Sequence, residues 1–260
     1  MEAMDTSPLI VGNWKMELSH KAELEMARAL KSLLKGTPLT AQVVICPSFP
    51  TLPLLHEFLG TSEKLELGAQ TIHWEEKGAW TGAVSVLQIS PWAKWVIVGH
   101  SEQRELTGCT DVEVEKQAQL ALKHGLTPII CIGETAEERA ADQTIARVTE
   151  QVSFILQKMT RASITRIVIA YEPLWAIGTG NTPDPNDIAA TLLLIRKLIA
   201  ERFDRPASER IRLLYGGSVT PDTVDGFMSE PGVNGVLVGG SSVHPMEFVE
   251  IIKNVSSHAG

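Results

Sequence analysis

Three charged or titratable side chains stand where apolar segments of the chain end: Lys15, His100 and Glu172. Taken singly, each has a plain structural explanation. Glu172 can be half of a salt bridge, His100 a hydrogen-bonded core residue and Lys15 a solvated surface residue. Yet a carboxylate at the end of a buried segment is costly unless it is paired or protonated. Together the three make a base, a neutral hydrogen-bond donor and a cation. Such a set can move a proton between carbons next to a carbonyl, with His100 and Lys15 stabilising the enediolate oxygens. No covalent intermediate is needed. The sequence shows no metal-ligand cluster and no nucleophile elbow, so neither a metal nor a cofactor is expected.

Two glycine clusters supply an anion site. Gly216-Gly217-Ser218 and Gly239-Gly240-Ser241-Ser242 each follow an apolar run. Glycine lets backbone N–H groups approach an anion closely. Thr220-Pro221 reads as a helix start just after Ser218, and HPMEF as another after the second cluster. Helix N-termini favour anions. Lys15 would add local positive charge for a phosphate dianion.

Residues 171–180 read YEPLWAIGTG. Here a flap follows Glu172 directly. Leu174, Trp175 and Ile177 can close over the site, with Ala176 between them. Pro173 at one end and Gly178, Thr179 and Gly180 at the other serve as hinges. An enediol phosphate in water readily loses its phosphate, so a lid that excludes water fits the proton-transfer chemistry.

These groups need a scaffold that gathers strand ends. Eight short β-rich runs recur: 9–13, 42–46, 65–69, 94–99, 128–133, 166–171, 212–217 and 235–240. They are continuous rather than alternating, as in strands buried on both faces. Helical patterns lie between them, including 21–34, 111–124 and 186–203. Asp184-Pro185 reads as an N-cap followed by proline at the first helical position. Eight strand–helix units in this length predict a single (β/α)8 barrel over residues 1–260, with 1–8 a short N-terminal extension. The alternative is an open doubly wound sheet, but no GxGxxG follows the first run. In a barrel the C-terminal strand ends share one face, where active sites are built.

The 23 Lys and Arg against 31 Asp and Glu give a net charge of −8, which argues against wide binding to nucleic acid or to an anionic membrane. No apolar run approaches the ~20 residues a membrane span needs. The start, MEAMDTSP, lacks a secretory leader. Cys46, Cys109 and Cys131 are odd in number and widely spaced, consistent with free thiols in a reducing cytoplasm.

Seven strings carry a resemblance. VGNWKM, GAQTIHWEEKGAWTG, VGHSE, CIGE, YEPLWAIGTG, YGGSV and GVLVGG are similar, in order, to the signatures of the triosephosphate isomerase family, spanning about Leu9 to Ile252. The resemblance implies a TIM barrel, a cofactor-independent aldose–ketose isomerase of glycolysis and gluconeogenesis, and a small phosphorylated triose as substrate. By the same resemblance Glu172 is the base, His100 the neutral electrophile and Lys15 the electrostatic lysine. Asn13 binds substrate beside it, Glu102 orients the lysine, and Gly178, Ser218, Gly239 and Gly240 donate backbone N–H groups to phosphate. Family members are usually homodimers, in which the third loop reaches the partner; Trp80 and Thr81 would make that contact.

Three departures cluster. Ala83, Gln103 and Cys109 stand where the family usually has glutamate, arginine and glutamate, as one interface ion cluster. Neutralising such a cluster as a unit can cost little. A full-length third loop therefore still predicts a homodimer. Two other readings remain open to the sequence: an isomerase of a related four-carbon keto-phosphate, and a catalytically silent barrel that binds a sugar phosphate.

Overall fold

Side chains of a strand point alternately to opposite faces, and here both faces of nearly every strand are apolar. Val11, Val44, Ile97, Ile129, Ala170 and Leu214 fill one buried cluster. Their neighbours Ile10, Val43, Val96, Ile130, Ile169 and Leu213 belong to a second, larger one that includes the helices. The first cluster is the inside of a barrel and the second is the layer between barrel and helices.

The computed structural model describes residues 7–60, 64–176 and 183–258. Eight parallel strands follow one another round the barrel in sequence order: β1 (Leu9–Asn13), β2 (Gln42–Cys46), β3 (Glu66–Ala69), β4 (Trp95–Val98), β5 (Thr127–Ile132), β6 (Val168–Tyr171), β7 (Arg212–Tyr215) and β8 (Gly235–Val238). Leu9 lies opposite Gln42 on one side and Gly235 on the other, which closes the sheet. Of the expected extension the structure describes Ser7 and Pro8, and the Pro8 carbonyl already accepts from the Gln42 N–H, which ties it to the sheet. Residues 1–6 lie outside the described residues.

The expected helices form at His20–Leu33, Asp111–Lys123 and Pro185–Arg202. Asp184 caps the last of these by accepting from the Asn186 N–H, with Pro185 in the first turn. Of the two helix starts expected after the glycine clusters, HPMEF opens the helix Pro245–Ser257 with His244 at its N-cap, whereas Thr220-Pro221 comes out differently. Residues 221–223 form a turn closed by a three-residue bond, Thr223 N–H to the Thr220 carbonyl at 3.2 Å. The regular helix there is Val224–Met228. After β8 a 3₁₀ turn, Gly240–Val243, precedes the helix Pro245–Ser257. The N–H groups nearest the cradle therefore belong to a turn and a 3₁₀ segment, not to long helices.

Strand parity positions the site. Val11, Ala170, Leu214 and Leu237 point into the barrel. Two residues further on, in the same parity, come Asn13, Glu172, Gly216 and Gly239. They form the C-terminal mouth.

Candidate active site

At the end of β1, Asn13 is buried and its Oδ1 accepts the Lys15 N–H at 3.1 Å. Lys15 holds a φ of 50°, in the left-handed region that side chains other than glycine seldom adopt. Two contacts hold it there. The Gln70 amide donates to the Lys15 carbonyl at 2.8 Å and to the Cys46 carbonyl at 3.1 Å. The turn aims the Lys15 ammonium at Glu102, 2.5 Å from its Oε1.

At the end of β4, Gly99 turns the chain with a φ of 68°. A Cβ there would lie 2.6 Å from Val114, so only glycine fits. The turn breaks strand alternation and brings His100 to the mouth. His100 caps the short helix Ser101–Thr107, its Nδ1 accepting the Glu102 N–H at 3.2 Å. A nitrogen that accepts carries no proton, so this geometry assigns the neutral ring with its proton on Nε2. That Nε2 lies 3.4 Å from Glu172 Oε1.

Glu172 is 1% exposed. Its N–H donates to the Ile132 carbonyl at 2.7 Å, and its Oε2 accepts the Ser101 N–H at 2.9 Å. Among the described residues Oε1 has no hydrogen-bond partner. Gly216 makes room, since a Cβ there would lie 2.8 Å from Glu172 Cγ. Beneath it, burial and then the Glu172 charge push the Cys131 thiol well above its ordinary range.

A cleft of about 490 Å³ opens here, lined by Asn13, Lys15, His100, Leu174, the cluster Gly216–Ser218 and the cluster Gly239–Ser241, among others. Asn13, Lys15, His100, Glu102, Ser218, Gly239 and Gly240 thus share one space. Glu172 does not line it. Its carboxylate sits one layer behind the wall, docked on Ser101.

Leu174–Ala176 form a 3₁₀ turn directly after Pro173. The rest of the expected lid, Ile177, Gly178, Thr179 and Gly180, lies outside the described residues. Glu134 is not among the site residues expected from the sequence. Fully buried, Glu134 accepts from the Tyr171 hydroxyl at 3.0 Å and from the Trp175 indole N–H at 2.9 Å, and its carbonyl accepts the Leu174 N–H at 3.0 Å. Burial and then the Glu134 charge push the Tyr171 phenol up, so it stays a donor. Arg139 sits over the Trp175 ring at 5.2 Å. The signal for this role was a carboxylate just past β5, but its partners lie 37 and 41 residues away.

The third loop projects from the barrel. Trp80 is half exposed and Thr81 is exposed. Trp80 packs on His73, which stacks on Trp74 at 4.1 Å. Glu76 ties the loop to the helix Asp111–Lys123 and its C-cap, through Lys123 at 2.8 Å and His124 at 2.7 Å. Ala83 is exposed on the same loop, while Cys109 is partly buried and its N–H donates to the Gln103 carbonyl at 3.2 Å. Cys46 and Cys131 are buried, and all three thiols are free. No helix of the described residues is long and apolar enough to cross a membrane.

The comparisons with known proteins agree with one another. The family model described as triosephosphate isomerase matches residues 8–255. The chain is 40% identical to the triosephosphate isomerase of Clostridium novyi, over 94% of this chain and 97% of that one. It is 40% identical to that of Citrifermentans bemidjiense, over 95% and 98%. The crystal structure of triosephosphate isomerase from Bartonella henselae superposes with a TM-score of 0.84 at 33% identity, covering 95% of this chain and 98% of that one. The chain belongs to the triosephosphate isomerase family.

Proposed function

We propose that the whole chain works as one barrel domain that interconverts dihydroxyacetone phosphate and D-glyceraldehyde 3-phosphate, with the roles assigned as follows. Glu172 removes a proton from C1 of the ketose. The enediolate that forms carries its charge on oxygen, where the His100 Nε2–H and the Lys15 ammonium stabilise it. His100 relays a proton between the two oxygens, and Glu172 returns its proton to C2. Asn13 binds substrate beside Lys15, and Glu102 orients the lysine. Ser218, Gly239, Gly240 and, once the lid closes, Gly178 donate backbone N–H groups to the phosphate.

The observation that supports this reading best is the Glu102 N–H on His100 Nδ1, which favours a neutral ring with its Nε2 free to donate to a substrate oxygen in the cleft. Glu172 reaches the substrate by leaving the Ser101 N–H and swinging past Gly216. Closure of Leu174–Gly180 accompanies that swing and excludes water. A coupled assay on dihydroxyacetone phosphate tests the assignment. Glu172→Gln should lower kcat by about 1000-fold or more, within the range general-base removal spans. Full activity in that variant would remove Glu172 as the base.

The chain works as a homodimer in the cytoplasm, its third loop meeting the partner through Trp80 and Thr81. The protruding aromatic group around Trp80 supports this, and the neutral set Ala83, Gln103 and Cys109 lets the surfaces meet without a buried unpaired charge. Sedimentation at micromolar concentration should show twice the 28.3 kDa chain mass. A single monomer species would overturn the dimer.

A further inference from the structure

Regular pairing of β5 with β6 stops at Ile132 and Tyr171. Glu172 and the start of the lid therefore lie just beyond the ladder, and a seam of residues 132–134 holds them. The Ile132 carbonyl accepts the Glu172 N–H at 2.7 Å. Gly133 lies flat against the Glu172 carbonyl, since a Cβ there would stand 1.8 Å from that oxygen. The Glu134 carbonyl accepts the Leu174 N–H at 3.0 Å, and its carboxylate accepts from the Trp175 indole at 2.9 Å. A shift of this seam shifts the backbone of the base and of the lid root together.

Gln151 fixes the seam from behind. It stands on the helix Thr144–Gln157 and is 1% exposed, and its Oε1 accepts the buried Gly133 N–H at 2.9 Å. It does not line the cleft. Its Nε2 is buried without a partner among the described residues. An unpaired buried donor costs stability, so the useful atom of this amide is the acceptor. We propose that Gln151 is a positioning residue for the base. It anchors Gly133, so that the backbone of Glu172 stays fixed while the carboxylate swings from Ser101 past Gly216 to the substrate. This rests on Glu172 as the base and adds the group that holds it in register. Gln151 touches no reacting atom and no part of the phosphate cradle. Its effect is therefore carried by kcat rather than KM, because a catalytic group out of place loses rate while binding is kept.

The test compares the full-length protein with two substitutions that separate the anchor from stability. Gln151→Met keeps the length but removes the acceptor and leaves the Gly133 N–H unpaired. Gln151→Glu keeps the acceptor but buries a charge. Both should melt below the parent. In the coupled assay, at a temperature where all three are folded, Gln151→Met should lower kcat about 10- to 100-fold with KM within about two-fold of the parent. Gln151→Glu should keep kcat within about three-fold, because the carboxylate still accepts from Gly133. Gln151→Asn draws the acceptor back by one methylene and should behave as Gln151→Met, which keeps the test open if the Met variant does not fold. Full kcat in the variants that withdraw the acceptor would overturn the proposal, as would activity that simply follows melting temperature. If the parent does not turn over dihydroxyacetone phosphate, the activity assignment fails instead. The indole N–H resonance of Trp175 then reads the seam on its own: it should move in Gln151→Met and stay in Gln151→Glu, and no movement in Gln151→Met would remove the anchor.

Discussion

The two ends of this barrel treat polar groups in opposite ways. At the N-terminal end the first residues of four strands, Gln42, Glu66, Trp95 and Arg212, close on one another. Arg212 Nη1 donates to Gln42 Oε1 at 2.7 Å, and Gln42 Nε2 donates to Glu66 Oε2 at 3.1 Å. Glu66 also accepts from the Trp95 indole at 2.6 Å and from Lys94 at 3.0 Å, while Arg212 lies over the Trp95 ring at 5.3 Å. At the C-terminal end Glu172 Oε1 and the Ser101 hydroxyl are buried without partners among the described residues, and Lys15 keeps a left-handed backbone. A closed network stabilises, because no buried group is left unpaired. An open one costs stability and persists where the spare valence serves chemistry.

The sharpest way to break this division is to neutralise a carboxylate at the mouth. Glu172→Gln should lose the kcat described above yet keep its melting temperature or gain slightly, because it removes a buried charge while the amide oxygen still accepts from Ser101. A fall in Tm of several degrees would mean that Glu172 is a structural ion after all.

Arg104 joins the two behaviours. Its Nε donates to the Gly99 carbonyl at 2.8 Å, its Nη2 to the Cys131 carbonyl at 3.2 Å, and its Nη1 pairs with Asp111 at 2.6 Å. It therefore holds the turn that presents His100, as a positioning residue. Arg104→Lys keeps the charge but cannot reach three acceptors at once. A loss of about 10- to 100-fold in kcat with KM little changed is expected, the size a small misplacement of a catalytic group produces. Nitrogen chemical shifts of His100 should show a mixed tautomer. Unchanged shifts with lower stability would make the role merely structural.

How much of this was legible depended on distance along the chain. Each strand run, and the parity that carries Asn13 and Glu172 inward, is local, so short apolar segments with polar ends revealed them. The glycines at 216, 217, 239 and 240 were legible for the same reason. The N-terminal network was not, because Gln42 and Arg212 are 170 residues apart and meet only when the barrel closes. Glu134 beneath Trp175 and Gln70 on the Lys15 carbonyl were hidden likewise. The docked position of Glu172 was hidden too: its type and place announce a base, but only the fold shows it resting behind the cleft on Ser101. The helix expected at Thr220-Pro221 misled because Thr223 folds back on Thr220, through both its N–H and its hydroxyl, and closes a turn first.

The N-terminal network gives the converse prediction. Glu66→Gln should cost about 2 kcal/mol, the range for disrupting a part-buried charged hydrogen-bond set. In a chain of this size that lowers Tm by about 4–8 °C. Activity at 25 °C should match the parent. Equal losses of activity in Glu66→Gln and Glu172→Gln would erase the contrast between the two ends.

The smallest effect belongs to a third region, the projecting loop. There the Glu76–Lys123 pair is exposed and the Glu76–His124 pair only part-buried, and ion pairs near the surface contribute little. The hydrogen bond from Lys123, and then the one from His124, hold the Glu76 carboxyl below its ordinary value of 4.5. A carboxyl lowered in the folded state contributes stability that is present above the unfolded value and lost as pH falls through the lowered one. Tethering of the loop should therefore be flat from about pH 8 to pH 5 and weaken only in more acidic solution. Fluorescence of Trp74 and Trp80 would follow it. Glu76→Gln should remove the acid transition and leave the barrel's melting temperature within about 1 °C, since surface substitutions change stability by only a few tenths of a kcal/mol. A transition centred near neutral pH would place the titrating group elsewhere.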